Sequence, residues 1–279
     1  MAQKLYKVLK GNGEMQYFNS EKLFHSLKRG GATDDAANMI VTHIEGELED
    51  GMKTFDIYHH AFELLKDKHP AVAAKYDLKR ALMRLGPSGY PFEEFVAKIW
   101  EGLGYTTQVG VMVSGICIEH EVDVVAESKE DVVMMECKYH NMNATKSDVK
   151  TALYVHSRMQ DLKARWEKDH PGSKKNFRGI LVTNTQFSSA AIQYAECAGL
   201  EIISWDRPRD AGLKDMIDQA GLHPITSLTS LNEHHVKDLL KKGHVLCKDI
   251  KKGMKSLKLK KGQREQIEDE AAALCGLEI

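Results

Sequence analysis

The chain has 279 residues, of which 42% are hydrophobic and 28% charged, and its formal net charge is −1. That length suits two or three modules, and the composition excludes a disordered polyelectrolyte. No apolar run approaches the roughly 18 to 20 residues that a membrane helix needs. A charge near zero excludes a globally basic nucleic-acid binder, so any phosphate contact must come from local patches. The opening Met1-Ala2-Gln3-Lys4-Leu5-Tyr6 lacks the apolar core of a secretory signal. Five cysteines, at 117, 137, 197, 247 and 275, form no CxxC pair. That argues against a zinc knuckle and a disulfide framework, so a cytoplasmic location is expected.

Two short runs, Lys4–Lys10 and Glu14–Phe18, flank Gly11-Asn12-Gly13 and predict a β-hairpin. Asn19 or Ser20 can cap a helix carrying Leu23, Phe24 and Leu27 on one face, ended by Gly30-Gly31. Thr33 begins a second helix (Ala36, Met39, Ile40, His43, Ile44), and Thr54 a third (Ile57, Ala61, Leu64, Leu65) that stops at His69-Pro70. A fourth is expected from about Ala71 to Leu85, followed by the linker-like Gly86-Pro87-Ser88-Gly89.

The middle third changes character. Phe92, Phe95, Val96, Ile99 and Trp100 predict an amphipathic helix, and Tyr105–Val113 a strand. His120–Ala126 and Val132–Tyr139 are β-rich runs separated by the polar turn Ser128-Lys129-Glu130-Asp131, hence antiparallel neighbours. A long helix from Lys146 to about Asp169, strand Gly179–Thr183, helix Ser188–Ala198 and strand Glu201–Trp205 complete an α/β layout with a mixed sheet. From Leu228 onward the pattern is helical and polar. Between Val236 and Arg264, ten Lys and one Arg stand against Asp238 and Asp249. That stretch is either a phosphate-contacting patch or a solvated helical face offset by the acidic run Glu265–Glu270.

Strand periodicity puts Glu136 and Lys138 on one face and Cys137 on the other, and a suitable hairpin register brings Asp123 beside them. Two close carboxylates repel unless a cation lies between them. Hard oxygen ligands with open positions suit Mg²⁺, which keeps waters and binds phosphate oxygens. Such an ion activates water and stabilises a departing oxygen, while Lys138 would hold the water or the transition-state charge. The alternative is an exposed strand face with an ordinary salt bridge. Thirteen histidines, His59-His60 and His234-His235 among them, come without a carboxylate-bearing motif and are read as surface or capping residues. His140 faces the site or serves a turn. Cys137 and Trp100, Trp166 and Trp205 are read as packing residues.

The segments Gly89-Tyr90-Pro91-Phe92-Glu93-Glu94-Phe95-Val96, Leu103-Gly104-Tyr105, His120-Glu121-Val122-Asp123-Val124-Val125 and Glu136-Cys137-Lys138 occur in one order. Together they resemble the PD-(D/E)xK nuclease superfamily, most closely the Mrr-type restriction endonucleases and archaeal Holliday junction resolvases. Gly179–Asn184 and Phe187-Ser188 look like the later core of the Mrr type, so the resemblance covers about Ser88 to Pro208. It implies that Asp123 and Glu136 bind metal, that Lys138 is catalytic, and that Glu93 (with Glu94 as the competing choice) helps hold metal or water. Many Mrr-type nucleases have Gln where Glu136 stands, whereas Glu is the commoner residue across the superfamily.

In the first segment, Val8-x-Lys10-x-x-Gly13, Phe18-Asn19-x-x-Lys22-Leu23 and Tyr76-x-x-x-Arg80 resemble the ATP-cone, a nucleotide-binding regulatory module, over about Lys4 to Leu85. Lys10 and Lys22 would then be point charges for phosphates, with Gly13 allowing close approach and Arg80 completing the set. The family usually has Lys-Arg before Asp-Gly, and Lys10-Gly11-Asn12-Gly13 lacks the arginine. Without that resemblance, the two lysines are solvated and the glycines merely make a hairpin. Leu239-Leu240-x-x-Gly243-x-Val245 loosely resembles a helix-hairpin-helix, whose backbone N–H groups meet phosphate without reading bases.

These readings give three expected domains: 1–86, ATP-cone-like; 87–222, a restriction-endonuclease-like mixed sheet with flanking helices; and 223–279, small, helical and basic. The expected function is Mg²⁺- or Mn²⁺-dependent hydrolysis of DNA phosphodiesters by a homo-oligomer, regulated by ATP or dATP. The rival is a non-catalytic nucleotide sensor that binds DNA. RNA as substrate stays open.

Overall fold

The computed structural model describes residues 5–11 and 13–275, leaving aside the side chains of Pro70, Ala71 and Lys261. Lys4 and Asn12 of the expected hairpin, and the extreme ends of the chain, lie outside the described residues. The chain divides into two compact units: Met1–Leu78 with Ser227–Ser230 and Lys261–Ile279, and Lys79–Thr226 with Leu231–Lys260. The hairpin-and-helix N-terminus, the central mixed sheet with flanking helices, and the helical C-terminal segment are all present.

In the first unit, β1 (Lys7–Leu9) pairs antiparallel with β2 (Met15–Tyr17). Their turn closes when Lys10 donates its N–H to Glu14 O at 2.8 Å, and Gly13 takes a φ of 85° that favours glycine. Helix α1 (Ser20–Arg29) starts at Asn19, whose side chain accepts the Lys22 N–H at 2.8 Å. Helix α2 (Asp34–Glu47) is capped by Thr33, and α3 (Thr54–Lys68) follows. Leu23, Leu27, Ile40, Ile44, Ile57 and Leu65 meet in one core, as their helical spacing predicts.

The single helix expected over about 71–85 is instead two, α4 (Pro70–Tyr76) and α5 (Leu78–Met83). At the break the Tyr58 hydroxyl donates to the Tyr76 carbonyl at 2.6 Å. Tertiary packing overrides local propensity there, and nothing in the sequence near Asp77 signals the break.

The second unit is built on a five-stranded sheet in the order β3-β4-β5-β7-β9. Helix α6 (Tyr90–Gly102) precedes β3 (Thr106–Ser114), β4 (Glu119–Glu127) and β5 (Asp131–Lys138), which pair antiparallel. The chain then makes β6 (Lys146–Ser147), α7 (Val149–Asp169), β7 (Asn176–Thr183), β8 (Gln186–Phe187), α8 (Ser189–Ala198) and β9 (Glu201–Ile203). Strands β5, β7 and β9 run parallel, and β6 pairs with β8 in a two-residue ladder that the alternation pattern was too short to announce. Val122, Val132 and Met134 of the sheet pack with Ala152, Val155, Met159 and Leu162 of α7 and Ala191 and Ala195 of α8. Gly179 allows this approach: a Cβ there would lie 2.7 Å from the Met159 side chain.

Helices α9 (Leu213–Ala220), α10 (Glu233–Lys241) and α11 (Ile250–Gly253) complete the unit. The turn after α10 closes with His244 N–H donating to Leu239 O at 3.0 Å, around Gly243 at φ 74°. Leu239, Leu240, Val245, Ile250 and Met254 are buried there, while Lys241, Lys242, Lys251 and Lys252 are exposed. The final helix, α12 (Lys261–Cys275), belongs to the first unit, where Glu270 accepts from the N–H groups of Thr229 and Ser230 at 2.7 and 2.9 Å. No helix among the described residues is long and apolar enough to cross a membrane.

Candidate active site

The register Val124↔Met135, continued by one residue, sets Asp123 on β4 opposite Glu136 on β5. Asp123 Oδ2 accepts the Cys137 N–H at 2.7 Å, so the carboxylate is fixed by the neighbouring strand's backbone. Glu136 and Lys138 flank the buried Cys137, as the two-residue period requires; Lys138 is exposed and Glu136 half-buried. Glu93 joins them from the first turn of α6. Four residues singled out in the sequence are therefore brought together by one helix and two adjacent strands.

Electrostatics register the crowding. Burial, then the charges of Asp123, Glu121 and Glu136, push Glu93 up to about 7. Burial and then Asp123 push Glu136 up to about 7, against the lowering pull of Arg158 and Lys138. Asp123 is also raised, chiefly by burial, with the Cys137 N–H bond, Arg158 and Lys138 opposing. Burial is the first cause in all three, so these half-buried carboxyls are harder to ionise than free ones, and Asp123 adds to the rise at both Glu93 and Glu136. Glu94, the competing choice on the helix, instead accepts from the Tyr90 hydroxyl at 2.7 Å.

Sequence reasoning missed Arg158. Its Nη1 donates to Glu136 Oε2 at 2.6 Å, its Nη2 to the Glu121 carbonyl, and its guanidinium lies 5.5 Å from the Tyr154 ring centroid. An arginine in the middle of a charged 21-residue helix carries no motif, so only the packing of α7 could reveal it.

Just beyond Lys138, the His140 N–H donates to Asn184 Oδ1 at 2.8 Å and its ring Nε2 meets Ser147 Oγ at 2.9 Å. Thr183 donates its hydroxyl to the Lys138 carbonyl at 2.8 Å. Burial and the charge of Lys138 lower the His140 pKa. This buried polar network ties the exit of β5 to the end of β7, which gives His140 the turn role.

In the first unit, a cavity of about 190 Å³ is lined by residues that include Gln16, Phe18, Asn19, Lys22, Thr54 and Tyr58. A more open depression on α1 is lined by Lys22, His25, Lys28 and Arg29. Lys22 thus borders both. Lys10 pairs with Glu14 at 3.6 Å, and Arg80 belongs to the second unit.

Residues 223–275 match the family described as AF1548-like, C-terminal, and residues 86–211 the family described as restriction endonuclease. An uncharacterised protein of Archaeoglobus fulgidus is 33% identical over 156 residues, covering 56% of this chain and 83% of the relative. The crystal structure of a protein of unknown function, AF1548, aligns with a TM-score of 0.54 at 31% identity, covering 68% of this chain and all of that one. The chain belongs to the AF1548-like family. It carries a restriction-endonuclease-like domain, related to the PD-(D/E)xK fold, and that membership supports a nuclease-type activity. Restriction-endonuclease-like membership is consistent with a divalent metal cofactor.

Proposed function

We propose that this AF1548-like protein is a metal-dependent DNA endonuclease, with Glu93, Asp123 and Glu136 as metal ligands and Lys138 as the catalytic lysine. The observation that carries the reading is the placement of Asp123 on β4 opposite Glu136 on β5, with Lys138 on the same strand and Glu93 on the first turn of α6, inside a restriction-endonuclease-like domain. The donor chemistry suits Mg²⁺ or Mn²⁺: the candidate ligand atoms are hard carboxylate oxygens on rigid elements, and side-chain rotation would bring the three onto one ion. When bound, the ion would supply Lewis-acid stabilisation of the phosphate and lower the pKa of a water.

The chain's own groups then have distinct tasks. Asp123, held by the Cys137 N–H, and Glu136, held by Arg158, keep fixed orientations, which minimises reorganisation during reaction. Glu93, on the first turn of α6, helps hold the metal or orients a water at the edge of the site. Lys138 is exposed enough to meet a phosphate oxygen and donates to the charge that develops there. Arg158 is a positioning residue for Glu136. The test is incubation of purified protein with plasmid, linear and branched DNA, and with RNA, in Mg²⁺, Mn²⁺ or EDTA. Cleavage restricted to the metal-containing DNA reactions supports the proposal; equal cleavage in EDTA removes its metal.

For the first unit we propose an ATP-cone-like role in which ATP or dATP binds at the Lys22 cavity, with Lys10 and Gly13 on the adjoining hairpin, and alters rate or assembly. Calorimetry of wild type against Lys22→Ala tests it: loss of a measurable nucleotide heat in the variant is expected, and a wild type that binds neither nucleotide overturns it.

A further inference from the structure

His43 and Glu47 stand one turn apart on α2, and His60 faces them from α3. His43 Nε2 lies 3.3 Å from Glu47 Oε1, and His60 Nδ1 lies 3.0 Å from Glu47 Oε2. All three groups offer a ligand atom within 4.8 Å of one another. The two imidazole rings meet edge to face, with centroids 5.2 Å apart and planes at 86°. This cluster is separate from the nuclease site: its residues all belong to the first compact unit.

The distances have chemical content. Zinc bonds of about 2.0 to 2.2 Å in tetrahedral geometry separate neighbouring ligand atoms by about 3.4 Å. The two N···O separations are close to that value but reach different oxygens of the Glu47 carboxylate, so side-chain rotation is needed to bring all three ligand atoms onto one ion. The backbone beneath is fixed, because Ile44 beside His43 and Ala61 beside His60 are both buried in the unit's core. Each imidazole meets its own oxygen of a single carboxylate. With neutral rings, two imidazoles and one carboxylate make a donor set of net charge −1. Two imidazole nitrogens select a transition ion over Mg²⁺ or Ca²⁺. Sequence reading had found no carboxylate partner for His59-His60; the partner comes from the preceding helix.

We propose that His43, Glu47 and His60 form a zinc site that clips α2 to α3, with the fourth position open to water or another ligand. The site is distinct in chemistry from the oxygen-rich carboxylate cluster of the nuclease domain.

Cobalt(II) provides a readout that does not depend on cleavage. The full chain, titrated with Co²⁺, should develop the strong visible bands of a four-coordinate centre, displaced by one equivalent of Zn²⁺. An Asp123→Asn, Glu136→Gln variant should keep those bands, whereas His60→Ala and Glu47→Gln should each weaken cobalt binding at least tenfold. Zinc should raise the melting temperature of wild type and leave His60→Ala unmoved, with far-ultraviolet circular dichroism verifying that the variants fold. Bands that are absent from wild type, that persist unchanged in a folded His43→Ala, His60→Ala variant, or that vanish in Asp123→Asn, Glu136→Gln would overturn the assignment.

Discussion

At the scale of single residues, the site is governed by charge. Glu136 retains only 19% side-chain exposure, and Arg158 is the foremost of the two cations, ahead of Lys138, that oppose its protonation. Arg158→Ala should therefore raise the Glu136 pKa further and move the acid limb of the cleavage profile upward by on the order of one pH unit. Arg158→Lys should restore most of that shift, because the charge remains; an acid limb unmoved in both variants would show that Arg158 acts only through packing. The same carboxyls make a prediction about stability in metal-free protein. Their folded pKa values lie above the unfolded ones, so the folded state binds more protons between about 4.5 and 7. The sign follows: ionisation above that window destabilises the fold, and acidification from pH 8 toward 5 should stabilise it through these groups. For Glu136 the effect is on the order of 1 to 2 kcal/mol after allowance for solvent screening. Denaturant melts in chelator should show Glu136→Gln more stable than wild type at pH 8 and nearly equal to it at pH 5. A variant less stable than wild type at pH 8 would contradict the burden assigned to that carboxylate.

At the scale of elements, the helix pair around Gly243 carries the basic stretch that the sequence left as either a phosphate patch or a solvated face. Lys241, Lys242, Lys251 and Lys252 are exposed around a closed turn whose apolar residues are buried, so charge can be removed there without opening a core. If the pair contacts DNA, replacing these four by Gln should weaken binding and reduce the salt slope by about 0.9 for each phosphate that is no longer neutralised. An unchanged slope would leave the patch as a solvated surface. The elements also show what the sequence could reveal. Strand and helix limits around the site were legible because Val122, Val124 and Ala126 recur with a period of two in a β-rich run, and because Asn19, Thr33 and Ser188 cap where short polar residues precede apolar stripes. The break at Asp77 was not, since the hydroxyl that meets the Tyr76 carbonyl there comes from Tyr58 on another helix, and α9 was not, because a turn-rich stretch precedes it. At the candidate site, period set Glu136 and Lys138 on one face and hairpin register allowed Asp123 beside them, while Glu93 was marked by the family resemblance alone. Arg158 and the His43–Glu47–His60 cluster were not, because each depends on which helices become neighbours.

At the scale of the whole molecule, the two compact units are each assembled from separate stretches of chain, so sequence-contiguous domains at 1–86, 87–222 and 223–279 remain a proposal about evolution and folding rather than about compactness. Helix α12 makes the point: it follows the nuclease domain in sequence yet belongs with the hairpin and helices of the first unit. The proposed activity, by contrast, rests on one place, the residues that β4, β5 and the first turn of α6 bring together. The most direct measurement is nicking of supercoiled plasmid in Mg²⁺ by wild type and by Glu136→Ala, Asp123→Ala and Lys138→Ala, each verified to be folded and free of contaminating nuclease. Wild type should nick only with metal present, and each variant should lose at least a hundredfold in rate. Nicking by a folded Glu136→Ala protein at the wild-type rate would contradict the assignment.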